Sequence, residues 1–365
     1  MSPLTLALTQ KSPREKAGAQ TSAKYNFQWN FTLLKVIALH KTDTDYRILL
    51  EHFDDFVVLV PSNDPTTAES FQIKGKATGR WTANALSKAE KDATAPKSIV
   101  GRMYHNIDCL GEPLTRAHFV SNASYRMTLV GGQKTTPDYT SIRCDQLHDD
   151  DRIAITSAID DDFPPPRLIN HELKFVFETT ELGLTGYETY VKGALVEFFS
   201  ATGDNPPIVA LYETLIATIS ARSSVSTEAL TAAELFETKS LSRDDIQSTF
   251  DAALHTSRTV LDSWSLVEKD FSADGWSSLG IARLNANCLQ YIRSRIRGDN
   301  IPAQLHAACL TASPGLAVGI GSAKTFREIT NLLRPEVAQH ESNFDAPLFD
   351  AALLVEGFEV WNAAR

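Results

Sequence analysis

The chain has 365 residues, 43% of them hydrophobic and 22% charged, with a formal net charge of −10. Those proportions are those of a soluble globular protein long enough for two domains, not of a disordered, collagenous or membrane-embedded chain. The longest apolar runs, such as FVVLV, are strand-sized and far short of a bilayer span.

The opening MSPLTLALTQKSPREK lacks the basic start and long apolar core of a signal peptide, so a cytoplasmic protein without a membrane partner is expected. Cys109, Cys144, Cys288 and Cys309 stand alone, with no CxxC pair, which argues against a zinc ribbon and against a disulfide framework. The charge is uneven. Residues 1–144 carry 18 Lys and Arg against 13 Asp and Glu, leaving 17 against 32 in the remainder. A basic first part can bind phosphates locally despite an acidic whole, because screening confines the field to about 8–10 Å.

In chain order, KYNFQWNFTLLKVIALH (24–40) predicts a helix with Phe27, Phe31, Leu34 and Ala38 on one stripe and apolar residues over most of the rest. Such a helix is buried. YRILLEHF and DFVVLV predict strands, PSNDP a loop and ESFQIK the next strand. WTANALSKAEKDA and KSIVGRMYHNI predict helices, RAHFVSNASYRMTLV a strand with a turn, DDDFPPPRL a surface loop and HELKFVFETTEL a strand. From about residue 184 onward every segment has helical spacing. The pattern is an α/β part followed by a helical part, divided as 1–220 and 221–365.

One strand raises a chemical question. In SFQIKGKATGRW (70–81), Phe71 and Ile73 alternate with Gln72 and Lys74. Solvent on the polar side would suffice to explain that. Spacing of two, however, puts Gln72 and Lys74 on one face, and Asp55 opens the preceding apolar strand. If those strands are neighbours, a carboxylate, an amide oxygen and a lysine can converge. Hard oxygen ligands suit Mg²⁺, and a lysine beside the metal can stabilise charge on a scissile phosphate.

Polar turn, Asp, apolar strand, loop and then (D/E/Q)-x-K resembles the PD-(D/E)xK, restriction-endonuclease-like superfamily. The ordered landmarks AGAQTSAKYNFQ, LLEHFDDFVVL, FQIKGK, KSIVGRMY, FVSN and ETKSLSRDDI further resemble the double-stranded-DNA endonuclease domain of bacterial antiphage effectors. That is the Cap-type nuclease domain, fused to a SAVED sensor in cyclic-oligonucleotide (CBASS) systems and acting beside a HerA-type hexameric ATPase in others. The likeness covers about residues 11 to 255. The segment after it is short for a SAVED domain and carries none of its landmarks, which favours the HerA-associated members.

The resemblance implies a restriction-endonuclease-like α/β core, with a mixed central sheet flanked by helices, followed by an all-helical C-terminal region. It implies an Mg²⁺- or Mn²⁺-dependent nuclease acting on double-stranded DNA. Residue by residue, Asp55 matches the metal-binding Asp, with Asp54 or Glu51 as replacements if the register differs. Gln72 matches the second acidic position, Lys74 the catalytic lysine, and Gln28 the position where many relatives place a helix Glu. Glu15 is a further candidate acid. Gln72 departs from the Asp/Glu pattern, which lowers the expected metal affinity. Lys76 and Arg80, just past the lysine, are candidate DNA contacts.

Partners implied are a HerA-type ATPase and further copies of the chain, with residues 221–365 as the assembly region. The alternative is a catalytically weak DNA-binding or scaffold subunit that recruits an ATPase. GLAVGIGSAKT (315–325) superficially resembles a phosphate-binding loop, but Ser322 and Ala323 separate Gly321 from Lys324, so an interhelical loop is expected. The tail FDAPLFDAALLVEGFEVWNAAR has near-helical apolar spacing that suits either a core or a partner surface.

Overall fold

The computed structural model describes residues 2–10, 22–42, 44–90, 96–163, 171–225, 231–255 and 260–363. Two compact units make up the chain: residues 1–194 with 216–245, and residues 195–215 with 246–365.

The first unit is built on a seven-stranded mixed sheet. Its strands are β1 (Arg47–His52), β2 (Asp54–Val60), β3 (Thr67–Ile73), β4 (Leu114–Ser121), β5 (Ser141–Arg143), β6 (Phe175–Thr179) and β7 (Ser240–Ser242), in the spatial order β5-β6-β4-β3-β2-β1-β7. The helices in chain order are α1 (Pro3–Gln10), α2 (Ser22–His40), α3 (Ala83–Ser87), α4 (Ile99–Leu110), α5 (Asp149–Asp162), α6 (Tyr187–Ser200), α7 (Ile208–Ser223) and α8 (Ala232–Lys239). The unit bounds fall inside α6 and α7.

β1, β2 and β3 form an antiparallel meander, with Leu50 opposite Phe56 and Phe56 opposite Phe71. β3–β4 and β4–β6 are parallel. Apolar runs such as Ile48-Leu49-Leu50 and Phe56-Val57-Val58-Leu59 are buried throughout, as strands covered on both faces must be. One face packs against a core that includes Val57, Leu59, Phe119, Met103, Tyr104 and Ile107, the last three from α4. On the other, α2 lays Phe31 against Phe56, 6.3 Å between ring centroids, and Lys35 over the Phe71 ring at 4.7 Å.

α2 is buried as expected, but along a different stripe: Leu33, Val36, Ile37 and His40 point inward, Leu34 is half-buried and Ala38 is exposed. Over its described residues 81–90, the segment read as one long helix from Trp81 gives the five-residue α3, which Thr82 caps by accepting from the Ala85 amide at 3.1 Å. In DDDFPPPRL, Asp160 to Asp162 close α5 rather than opening a loop; 164–170 lie outside the described residues.

α4 begins with a cap that explains the glycine in KSIVGRMY. Ser98 accepts from the Gly101 amide at 2.9 Å, and the Asp162 carboxylate accepts from the Lys97 and Ser98 amides at 2.8 and 3.1 Å. A Cβ on Gly101 would lie 2.0 Å from an Asp162 oxygen, so only glycine admits the carboxylate. ETKSLSRDDI places β7 beside β1, far away in sequence, with Leu241 opposite Ile48.

The second unit is helical. It contains α9 (Arg243–His255, entered from Ile246), α10 (Trp264–Ala273), α11 (Ser278–Ile296), α12 (Asn300–Ser322), α13 (Phe326–Leu333) and α14 (Ala346–Ala363). α14 is its central element: Phe349, Ala351, Ala352, Leu353, Leu354 and Val355 are all buried, so the apolar tail is core rather than a free face. GLAVGIGSAKT is not a loop over its first eight residues, because α12 continues through them to Ser322, past Pro314. Leu305, Cys309 and Ile320 are buried along that helix, and such packing overrides the low helix propensity of its glycines.

Glu356, 1% exposed on α14, is paired on every side. It accepts from Tyr291 Oη at 2.7 Å and Arg295 at 3.1 Å, and faces His306 Nδ1 at 2.7 Å; Arg295 also reaches Glu359 at 2.7 Å.

Candidate active site

The β1–β2 corner carries Asp54 and Asp55. It is tight: Glu51 and Phe53 adopt φ of 45° and 66°, values that side chains bear only when the surroundings impose them. Lys239, 4% exposed, imposes one of them by donating to the Glu51 carbonyl at 2.8 Å. Burial lowers the pKa of that lysine.

The two aspartates diverge. Asp54 accepts from Asn106 Nδ2 of α4 at 2.8 Å. Asp55 accepts from Gln28 Nε2 of α2 at 2.7 Å on one oxygen, and from the Ile73 amide at 2.5 Å on the other. The second bond fastens Asp55 to the end of β3, next to Gln72. Gln28, Asp55 and the Gln72–Ile73 end of β3 are therefore together, from three elements distant in sequence.

Two atoms there are unusual. The side-chain oxygens of Gln28 and Gln72 are both buried without a hydrogen-bond partner among the described residues. A buried acceptor left unpaired costs about 1–3 kcal/mol, so one on the residue that donates to Asp55 and one on the residue before Ile73 call for an explanation. A bound cation is one, since amide and carboxylate oxygens are the donors that Mg²⁺ and Mn²⁺ take.

Lys74 follows β3, and its backbone N–H donates to the Val120 carbonyl at 2.9 Å. Its ammonium donates to Glu90 at 2.6 Å, and Glu90 also takes both terminal nitrogens of Arg102, from α4, at 2.7 and 2.8 Å. The Arg102 hydrogen bonds, then Lys74, pull the Glu90 carboxyl down to about 2, outweighing its partial desolvation. Glu90 thus stays ionised at neutral pH.

Lys76 is folded onto its own loop, its ammonium 4.1 Å from the Trp81 ring centroid and donating to the Arg80 carbonyl at 2.7 Å. Arg80 is exposed. Glu15 lies outside the described residues.

Sequence reasoning missed Glu90, Arg102, Asn106 and Asn122. Asn122 clamps the loop after Lys74, accepting from the Lys76 amide at 2.8 Å and donating to its carbonyl at 3.0 Å. Arg102 and Asn122 were visible as polar residues inside the landmarks KSIVGRMY and FVSN. Glu90 carried no local signal, since its partners are fixed by the tertiary fold.

No curated protein matches the chain in sequence. No helix among the described residues is long and apolar enough to cross a membrane. The family model described as "Cap4, dsDNA endonuclease domain" matches residues 16–223. That span holds α2, the β1–β3 meander, Asp55, Gln72, Lys74 and the Glu90 and Asn122 contacts, and it exceeds half of the chain. The chain belongs to the Cap4 double-stranded-DNA endonuclease domain family.

Proposed function

We propose that the protein is a metal-dependent endonuclease that hydrolyses phosphodiester bonds of double-stranded DNA in antiphage defence. The observation that carries the metal requirement is that two amide oxygens are buried without a hydrogen-bond partner among the described residues, one on Gln28, which donates to Asp55, and one on Gln72, which precedes the Ile73 amide that Asp55 accepts from. Asp55, Gln72 and Gln28 would hold Mg²⁺ or Mn²⁺, and Asp54, bound to Asn106, shapes the corner instead. When bound, the metal supplies an activated water and neutralises charge on the phosphate. One carboxylate and two amides make a weakly charged ligand set, so affinity without DNA is low.

The role of Lys74 is to stabilise the negative charge that grows on the phosphate. Glu90 and Arg102 position its ammonium from behind, and a DNA phosphate competes with Glu90 for it. Exposed Arg80, and Lys76 once it leaves its own loop, would contact the DNA backbone. Cleavage is controlled by assembly, either with further copies of the chain or with a HerA-type hexameric ATPase. This rests on the family resemblance and on a helical second unit that holds none of the proposed catalytic residues.

Incubating supercoiled plasmid with the full chain in Mg²⁺ or in EDTA tests the reading. Nicked and linear products in Mg²⁺ alone are expected. Activity undiminished in EDTA rules out the metal. A folded protein that binds duplex without cutting it, with or without the ATPase, favours a scaffold. Mass photometry of the chain, alone and with the ATPase, tests assembly: a monomer in both cases contradicts it.

A further inference from the structure

In a chain of net charge −10, residues 70–89 and 113–137 together contain seven Lys and Arg and no Asp or Glu. The first is the catalytic strand with its following loop. The second leaves β4 and forms a short ribbon over residues 127–135. Hydrogen bonds lace the two together. Besides the Asn122 clamp on Lys76, the Trp81 amide donates to the Ser124 carbonyl at 3.0 Å and the Arg126 amide to the Trp81 carbonyl at 2.7 Å.

The ribbon itself is firmly built. The Thr135 amide donates to the Met127 carbonyl at 2.9 Å, and the Leu129 amide to the Gln133 carbonyl at 2.7 Å. The buried Thr135 hydroxyl accepts from the Met127 amide at 3.0 Å and donates to the Tyr125 carbonyl at 2.9 Å. Its outer edge is paired too: the Val130 amide donates to the Gln146 carbonyl at 2.9 Å and the His148 amide to the Thr128 carbonyl at 2.8 Å.

The tip, in contrast, is bare. Val130 is 70% exposed, and Gly131 and Gly132 adopt φ of 95° and 83° with nothing within 4 Å of an added Cβ. Only glycine takes that backbone without strain, and it leaves the turn as thin as a main chain. Arg126 and Lys134 are exposed on the two strands. Acids flank the base: the Asp151 carboxylate, at the start of α5, accepts from the Thr128 amide at 2.5 Å, Asp149 pairs with Arg152 at 2.6 Å, and Asp138 accepts from Thr136 at 3.3 Å.

We propose that the 127–135 ribbon is a second duplex-DNA contact, with Arg126 and Lys134 on backbone phosphates and the Val130-Gly131-Gly132 tip in the groove between them. A rigid ribbon with a slim apolar tip between two cations matches what a groove flanked by phosphates accepts. Its lacing to the loop after Lys74 would fix the distance from groove to scissile bond. This inference rests on the endonuclease reading.

The test is fluorescence anisotropy of the full chain on a labelled duplex in EDTA across a salt series, with plasmid cleavage in Mg²⁺ run in parallel. Arg126→Ala/Lys134→Ala should flatten the log–log salt slope by about 2, since each lost phosphate contact removes about 0.9. Affinity near 0.1 M salt should fall by about tenfold or more on that slope. Val130→Glu should weaken binding by placing a carboxylate among phosphates. All three positions are exposed, so thermal melts should be unchanged.

Wild-type slope and affinity in both folded variants, from a protein that still cuts plasmid, would overturn the ribbon contact and leave the nuclease standing. A wild-type chain that neither binds nor cuts duplex would overturn both.

Discussion

Replacing Gln28 by Glu turns the proposed metal site into a measurable change of stability. Gln28 is 5% exposed and donates to Asp55 at 2.7 Å. The substitution removes a hydrogen bond to a charged group, about 1.5–3 kcal/mol. It also sets a second carboxylate against the first; two like charges about 4 Å apart repel by about 4 kcal/mol at an effective dielectric of 20, unless one takes up a proton. A net loss of about 2–4 kcal/mol is expected in EDTA. At about 2–4 °C per kcal/mol for a domain of about 150–250 residues, the midpoint should fall by about 5–15 °C.

A divalent cation offsets the loss, because two carboxylates then share it. Metal at 100 times its dissociation constant returns about 2.7 kcal/mol. Differential scanning fluorimetry with EDTA, Mg²⁺ and Mn²⁺ reads both effects, and the variant should gain more from metal than the wild type. A variant as stable as wild type in EDTA, or one that metal does not restore, would refute the placement of Gln28 and Asp55 around a cation.

Lys74→Ala should lower the melting point only slightly, since a half-exposed ion pair with Glu90 is worth about 0–1 kcal/mol, and should lower plasmid cleavage by about 10²–10³, as expected for the loss of one electrostatic stabiliser; wild-type rates from the folded variant would remove Lys74 from the mechanism. Glu90→Gln should lower cleavage by about tenfold, as loss of a positioning partner typically does. The Glu90 carboxyl is depressed in the folded state, so its contribution to stability is present above the ordinary carboxylate pKa and is lost as pH falls toward about 2. The melting difference between wild type and Glu90→Gln should therefore be flat above about pH 5 and shrink in acid; a difference that grew in acid would contradict the ion pair. In the second unit, Glu356→Ala removes one of the two carboxylates on Arg295 and the acceptor of Tyr291 Oη, and should cost about 1–3 kcal/mol in thermal unfolding.

The sheet strands nearest the site were legible because their information is local. Phe71 and Ile73 alternate with Gln72 and Lys74, and the buried runs of β1 and β2 are bounded by turn residues. Position along the chain told less about contacts made across it. β7 pairs with β1 from nearly two hundred residues away, and Lys239 fixes the Glu51 corner from the same distance. Glu90 looked like one more charge in a helical stretch, yet it binds Lys74 and Arg102 from the segment beyond α3. The 315–322 stretch reads as a loop by its glycines, but the helix it continues is held by burial of Leu305, Cys309 and Ile320. The pairing of Asp55 with Gln28 was legible only through the family resemblance; periodicity placed Gln28 on a buried helix and no further.

The central claim is that Asp55, held between Gln28 and the end of β3, is the carboxylate on which cleavage depends, while Asp54 is bound to Asn106. Cleavage of linear duplex in Mg²⁺ by Asp55→Asn and Asp54→Asn, with folding checked by melting, tests it most directly. Asp55→Asn should lose at least about 10² in rate, the scale of removing one electrostatic element of an active site, with Asp54→Asn keeping most of its activity. An active Asp55→Asn beside an inactive, folded Asp54→Asn would contradict the account.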